Sequence, residues 1–167
     1  MRLTILGLAA MGAVMLGGAG PVMPTSTTAA TIITQAEQDA LIADARARAN
    51  GQPNVSTPIV RLPEGAVNVE VRTVAGPAAV HPGDAEIFYV LQGSGELTTG
   101  GTFVPGSAPG VTPATAASIR GGVAQAVSKG QFLVVPANLP HAFTKSDGQL
   151  AVMSLHLVKP PPPAAKP

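Results

Sequence analysis

From Thr57 to about Lys159 the chain breaks into short β-rich runs, "PIVRL", "VNVEVRTV", "EIFYVL", "GELTT", "VAQAV", "FLVV" and "LAVMSLHLV", separated by Gly, Pro, Asn or Asp. That rhythm is the signature of an antiparallel sandwich or barrel, so the expected class is all-β. Alternation within the runs assigns faces. In "VNVEVRTV", Val67, Val69 and Val71 alternate with Asn68, Glu70 and Arg72, which predicts one apolar face and one face in water. "EIFYVL" differs, because Glu86, Phe88 and Val90 share one face while Ile87, Tyr89 and Leu91 share the other. Both of its faces need cover, from a second sheet or a second subunit, and a homodimer is the expected assembly.

One helix precedes the β region. In "TQAEQDALIADARARANG", Thr34 and Glu37 have capping-box spacing and Gly51 offers a left-handed stop, predicting a helix over about Gln35 to Asn50. Its apolar positions Ala36, Ala40, Leu41 and Ala45 make a thin stripe, suited to lying across a sheet. Before it, Arg2 and the apolar run from Leu3 to about Ala19 follow the plan of a secretory signal, with cleavage after Gly20 disfavoured by Pro21 and a later site near Ala30 open. An uncleaved anchor is the alternative, the run being just short of the ~20 residues a spanning helix needs. The resulting organisation is a signal peptide over 1–30, helix and linker over 31–56, a barrel over 57–159 and a proline-rich tail over 160–167. The mature protein is expected to be periplasmic or secreted, without membrane attachment after cleavage. "GGTFVPGSAPGVTPATAASIRGG" reads as a long loop, and loops of that length in a compact domain are usually functional or mobile.

Composition narrows the chemistry. With no cysteine there are no disulfides, thiolate ligands or cysteine nucleophiles, so a site must use oxygen and imidazole. Ten basic against nine acidic residues, no Trp and one Tyr give nothing to attract or stack nucleic acid, which is not an expected partner. No nucleophile elbow, Walker loop or dinucleotide fingerprint occurs in a strand-turn-helix setting, so no cofactor-binding residues and no catalytic residues are assigned; "GSGELTTGG" is a hairpin signal. Asp84 reads as a solvated turn residue, and Glu96 and Asp147 as surface charges.

Two stretches carry a family resemblance. His81, four intervening residues, Glu86, six more and Gly93 resemble the second half of the first cupin motif. "GQFLVVPANLPHAF" is similar to the second, with Gly130, Pro136 and, after a turn, His141. The resemblance covers roughly Pro58 to Lys159 and implies a cupin-type double-stranded β-helix or jelly-roll barrel, here with one N-terminal helix. The family usually opens its first motif with two histidines one residue apart, where this chain has Ala79 and His81. The usual Gly of the second motif is Asn138, which still tolerates a left-handed turn, and the usual terminal Asn is Lys145.

What remains of the family's four-ligand set is His81, Glu86 and His141. Two imidazoles and a carboxylate match a facial triad, which leaves open positions on a divalent ion such as Fe, Mn, Ni or Zn. A second reading treats the three as remnants, with His81 closing the "HPGD" turn and no metal bound. Glu86 favours the ion, because a carboxylate flanked by Phe88 and Val90 is costly to bury without a cation, proton or hydrogen bond. The third histidine, His156, shares a face with Val152 and Ser154. The plainest reading turns the apolar set Ala151, Met153, Leu155 and Leu157 inward and leaves His156 at the surface. The opposite register would put His156 in the barrel, in place of the absent ligand.

The expected function is an exported small cupin that binds a divalent metal and a small polar ligand, with oxidoreductase and isomerase chemistry both open to it. The alternative is a metal-free, non-catalytic ligand-binding or interaction module, since the barrel hosts many functions.

Overall fold

The structure, a computed structural model, describes residues 30–62, 65–104, 115–116 and 118–158. The expected signal peptide, the middle of the long loop and the proline-rich tail lie outside these residues.

The helix α1 spans Gln35–Ala49. Its capping box is complete: Glu37 N–H donates to Thr34 Oγ1 at 3.3 Å, and Thr34 N–H donates to Glu37 Oε2 at 2.7 Å. Asn50 supplies the left-handed stop with φ 40°, one residue before the glycine expected to do so.

Strands follow in the order β1 (Asn54–Leu62), β2 (Gly65–Arg72), β3 (Ala78–Ala79), β4 (Asp84–Gln92), β5 (Ser94–Thr99), β6 (Thr102–Val104), β7 (Thr115–Ala116), β8 (Ser118–Arg120), β9 (Val123–Ser128), β10 (Phe132–Val135), β11 (His141–Ser146) and β12 (Leu150–Val158). One five-stranded sheet has the order β1-β2-β12-β4-β10, and a second has the order β7-β3-β11-β5-β9. Every pairing is antiparallel. The chain crosses repeatedly between the sheets, the connectivity of a jelly roll. β6 and β8 form a small separate ribbon. The ends of the expected long loop are thus strands, and Phe103 and Ile119 from them pack on Ala78 and Ala142 of the second sheet.

Between the sheets lies a core of Phe88, Val90, Leu97, Val127, Val135, Phe143, Leu150 and Val152. A second core lies outside the first sheet, where Leu41, Ile42, Ala45 and Ala49 of α1 cover Val55, Ile59, Val69, Val71, Leu91 and Ala151. The buried stripe includes Ile42 and Ala49, while Ala36, expected in it, is exposed. Arg46 fastens the helix by donating from Nη1 to Gln92 Oε1 at 3.0 Å and from Nη2 to the Gln149 carbonyl at 2.5 Å.

This outer core overturns two expectations. The apolar face of β2 points outward to the helix, so Glu70 and Arg72 face the barrel interior and not bulk water; Glu70 is only 7% exposed. β12 behaves the same way. Ala151 joins the helix core with Met153 packed against it, and Val152 and Ser154 are buried between the sheets. His156 follows them inward, against the plainest reading of the sequence. The physical reason is that an amphipathic helix needs an apolar sheet face, and the valines of β2 and the apolar set of β12 supply it.

Candidate metal centre

His81 stands in the turn between β3 and β4, Glu86 on β4, His141 at the start of β11 and His156 on β12. The turn before His141 closes through Asn138, whose φ of 64° is the left-handed geometry that the glycine of the family motif would otherwise supply. Asn138 N–H donates to the His81 carbonyl at 3.1 Å, tying the two motif turns together. Gly93, at the far end of β4 with φ 72°, allows no Cβ, because one would run into the backbone of Gln149 and Leu150.

All three histidines of the chain converge on one carboxylate. Glu86 Oε2 lies 2.9 Å from His141 Nε2 and 3.1 Å from His81 Nε2, and Glu86 Oε1 lies 3.5 Å from His156 Nε2. Cis donors at 2.0 to 2.2 Å from a common ion are separated by about 3.0 Å at a right angle and about 3.4 Å at the tetrahedral angle. Each contact to Glu86 is therefore spaced like a pair of cis donors on a common ion. His81, Glu86 and His156 offer ligand atoms all within 4.8 Å of one another, so they could hold a metal ion. His141, the third member of the sequence-expected set, lies outside that mutual group but makes the shortest contact to Glu86. His156 was the open case in the sequence. It pairs directly with Glu86 across β12 and β4, a register that strand spacing alone does not reveal.

The hydrogen bonds of His141 fix which of its nitrogens faces Glu86. The Leu139 carbonyl can only accept, so His141 Nδ1, 3.0 Å away, carries the hydrogen. Its Nε2 lone pair is then directed at a carboxylate oxygen 2.9 Å off, which demands a cation or a second proton between them. The Leu139 bond is also the kind of outer contact that fixes a metal-binding imidazole. Burial pushes the Glu86 carboxyl upward, but the His141 hydrogen bond and the charges of His141, His156 and His81 outweigh it and hold it below its ordinary value. Burial holds His81 below its ordinary value, partly offset by Glu86. The His81 shift favours the neutral imidazole that can ligate a cation, whereas the Glu86 shift reflects pairing of its carboxylate with imidazolium charge. His81 and His156 are about one-third exposed while Glu86 and His141 are buried, so the site opens on the His81 and His156 side.

A cavity of roughly 210 Å³ adjoins the cluster, lined by His81, Glu86 and His141 together with Asn54, Glu70, Arg72, Pro77, Ala79, Ala142 and Phe143. The polar residues of β1 and β2 were not singled out as site residues from sequence. Asp84, expected in a turn, opens β4, and Glu96 is paired with Lys145 at 2.8 Å. Asp147 accepts from Ser94 N–H at 2.9 Å and Gln149 N–H at 2.8 Å, closing the β11–β12 turn.

A jelly roll holding a histidine and carboxylate cluster between its sheets defines a class, and comparison with known proteins names it. Residues 66–163 match the family model described as Cupin, and the chain belongs to that family. No curated protein matches it in sequence. Among solved structures, a candidate mannose-6-phosphate isomerase from Ralstonia eutropha JMP134 is similar at 16% identity over 66% of this chain and 89% of that one, with a TM-score of 0.48. The hydroxypropylphosphonic acid epoxidase of S. wedmorenis is similar at 18% identity over 64% of this chain, with a TM-score of 0.48, and the match spans 51% of its length. The cupin domain of Schizosaccharomyces pombe Cnp3 is similar at 12% identity over 65% of this chain and 66% of that one, with a TM-score of 0.47.

Proposed function

We propose that this cupin binds one divalent metal ion through His81, Glu86, His141 and His156, and a small polar molecule in the adjoining cavity. The observation that carries the reading is the convergence of three imidazole nitrogens on one buried carboxylate. Three imidazoles and a carboxylate suit Fe, Mn, Ni or Zn, and on a six-coordinate ion they leave two positions free. When bound, such an ion supplies Lewis acidity, polarising an oxygen of the ligand. The protein's part is to fix the donors, through Leu139 on His141 and through the strand register on Glu86 and His156. Phe88 and Phe143 pack edge-to-face at 5.2 Å beside the cluster and keep its inner side dry.

Oxidoreductase and isomerase chemistry remain the reactions this site is suited to. The basic and apolar N-terminus supports export to the periplasm or beyond; the intact mass of exported protein, short of about the first 20 to 30 residues, is the check.

Metal analysis of protein prepared without a histidine tag tests the central reading. The expected result is close to one divalent ion per chain, lost in His141→Ala. A specific observation also supports a metal-free reading: the 2.9 Å contact of His141 with Glu86 is equally good geometry for an imidazolium and carboxylate pair. Metal-free protein that takes up no ion on incubation with Zn, Mn, Ni or Fe would establish that reading instead.

A further inference from the structure

Outside the four donors, the same cavity contains a buried charged group that metal binding does not use. Arg72 and Glu70 form an ion pair whose side chains are 12% and 9% exposed. Ser154 Oγ donates to Glu70 Oε1 at 2.7 Å, and the Asn54 side chain reaches the other oxygen at 3.5 Å. The Arg72 guanidinium lies over Phe143, 4.5 Å from the ring centroid, which fixes its plane. Only its Nη2 is spent on Glu70. Among the described residues, Arg72 Nε and Asn54 Oδ1 are buried and have no hydrogen-bond partner. Both residues line the cavity, so a ligand there lies against polar side chains whose hydrogen-bonding capacity the fold has not filled.

We propose that the Arg72 end of this cavity binds the carboxylate of a small organic acid. The inference rests on the metal reading of the same site for the other end of the ligand. Charge supports it: two carboxylates, Glu70 and Glu86, against one guanidinium leave the lining one charge negative, and a divalent ion makes it one positive. An anion is then attracted where it would otherwise be repelled. Size is consistent as well, because roughly 210 Å³ is about seven water volumes, enough for a compact acid. A planar guanidinium already held against an aromatic ring offers its remaining N–H groups to a carboxylate without further ordering.

Calorimetric titration with glycolate and with glycolamide, its uncharged amide, tests this on the full chain, with metal content measured on every sample. Glycolate should bind at least about tenfold more tightly than glycolamide, as expected for a charge-assisted contact. Arg72→Lys should weaken glycolate by a similar factor while metal content holds. Because a single change disturbs a buried pair, the double variant Glu70→Gln with Arg72→Gln is the second arm: it removes both charges, keeps the net charge of the lining, and should also lose glycolate. Unchanged glycolate affinity in both variants, with metal retained, overturns the Arg72 proposal and leaves the metal reading standing. Metal-free wild-type protein should lose most of its glycolate affinity, because its lining is then one charge negative; undiminished glycolate binding without metal overturns the charge argument and the proposal with it. Equal binding of acid and amide overturns it outright.

Discussion

His156→Ala is the substitution that separates the proposed ligand set, with His156, from the one expected from the sequence. His156 is about one-third exposed, so truncating it leaves a solvated notch and not a cavity, and the metal-free protein should lose no more than about 1 kcal/mol. Its nitrogen lies 3.5 Å from Glu86, and its ring sits edge-on to His81 with 4.5 Å between centroids. Losing a direct donor should weaken the ion by at least the 10- to 100-fold that loss of an outer-shell contact costs. At an ion concentration 100 times the wild-type Kd, binding stabilises the wild-type fold by about 2.7 kcal/mol, and a variant weakened 100-fold gains only about 0.4 kcal/mol. The difference of about 2.3 kcal/mol corresponds to roughly 5 to 9 °C in Tm for a chain of this size. Thermal melts with and without Zn, Mn, Ni and Fe, together with metal content, read both quantities. A variant that retains its ion and melts like wild type would refute the role of His156 and return the site to His81, Glu86 and His141.

Other consequences can be checked separately. Without metal, stability should fall as pH falls: His81 and Glu86 both have folded values below their unfolded ones, so each contributes stability above its unfolded value, about 6.5 and 4.5, that is lost as pH drops through the folded one. Urea midpoints between about pH 7.5 and 4 should show it, and higher stability at pH 5 than at 7.5 would contradict the sign. We propose that the chain forms a homodimer through the outer face of the first sheet, where helix cover ends and Tyr89, Phe132, Val134 and Leu157 are 37, 61, 59 and 52% exposed. Light scattering at tens of micromolar should give a dimer that Phe132→Glu splits; a wild-type monomer at that concentration removes the idea. Ala79→His should keep or raise metal content while lowering glycolate affinity, because Ala79 lines the cavity opposite His141; unchanged glycolate binding would show that the ligand lies elsewhere.

The architecture was legible because its signals are local. The turn residues cut the strands, and Thr34 with Glu37 started the helix one residue before Gln35. What alternation leaves undetermined is which of a strand's two faces is interior. In β2 and β12 the apolar face was assigned inward by default, yet it is the outer one, since α1 requires Val69, Val71 and Ala151 as its partners. The clue was present in the helix itself. A capped helix with Leu41, Ile42, Ala45 and Ala49 on one side has to be placed on some sheet, and only strands with one fully apolar face can receive it.

The site divides along the same line. His81 with Glu86, and His141 after its turn, were readable because each belongs to a compact motif whose geometry is set within a few residues. His156 was left open because its position depends on the pairing of β12 with β4, a long-range register. That register changes the meaning of Ala79. Taken alone, an alanine where the family has a histidine suggests a site in decline. On the proposed metal reading, His156 on β12, in the sheet that carries Glu86, would supply the imidazole that the family motif places on β3, in the sheet that carries His141. The number of donors around Glu86 is kept, and the place of the absent imidazole is occupied by a methyl group that lines the cavity beside Arg72. An imidazole supplied from β12 would leave the Ala79 side open, so on the proposed reading the residue that departs from the family motif is also the one that makes room for a ligand between the metal donors and the guanidinium.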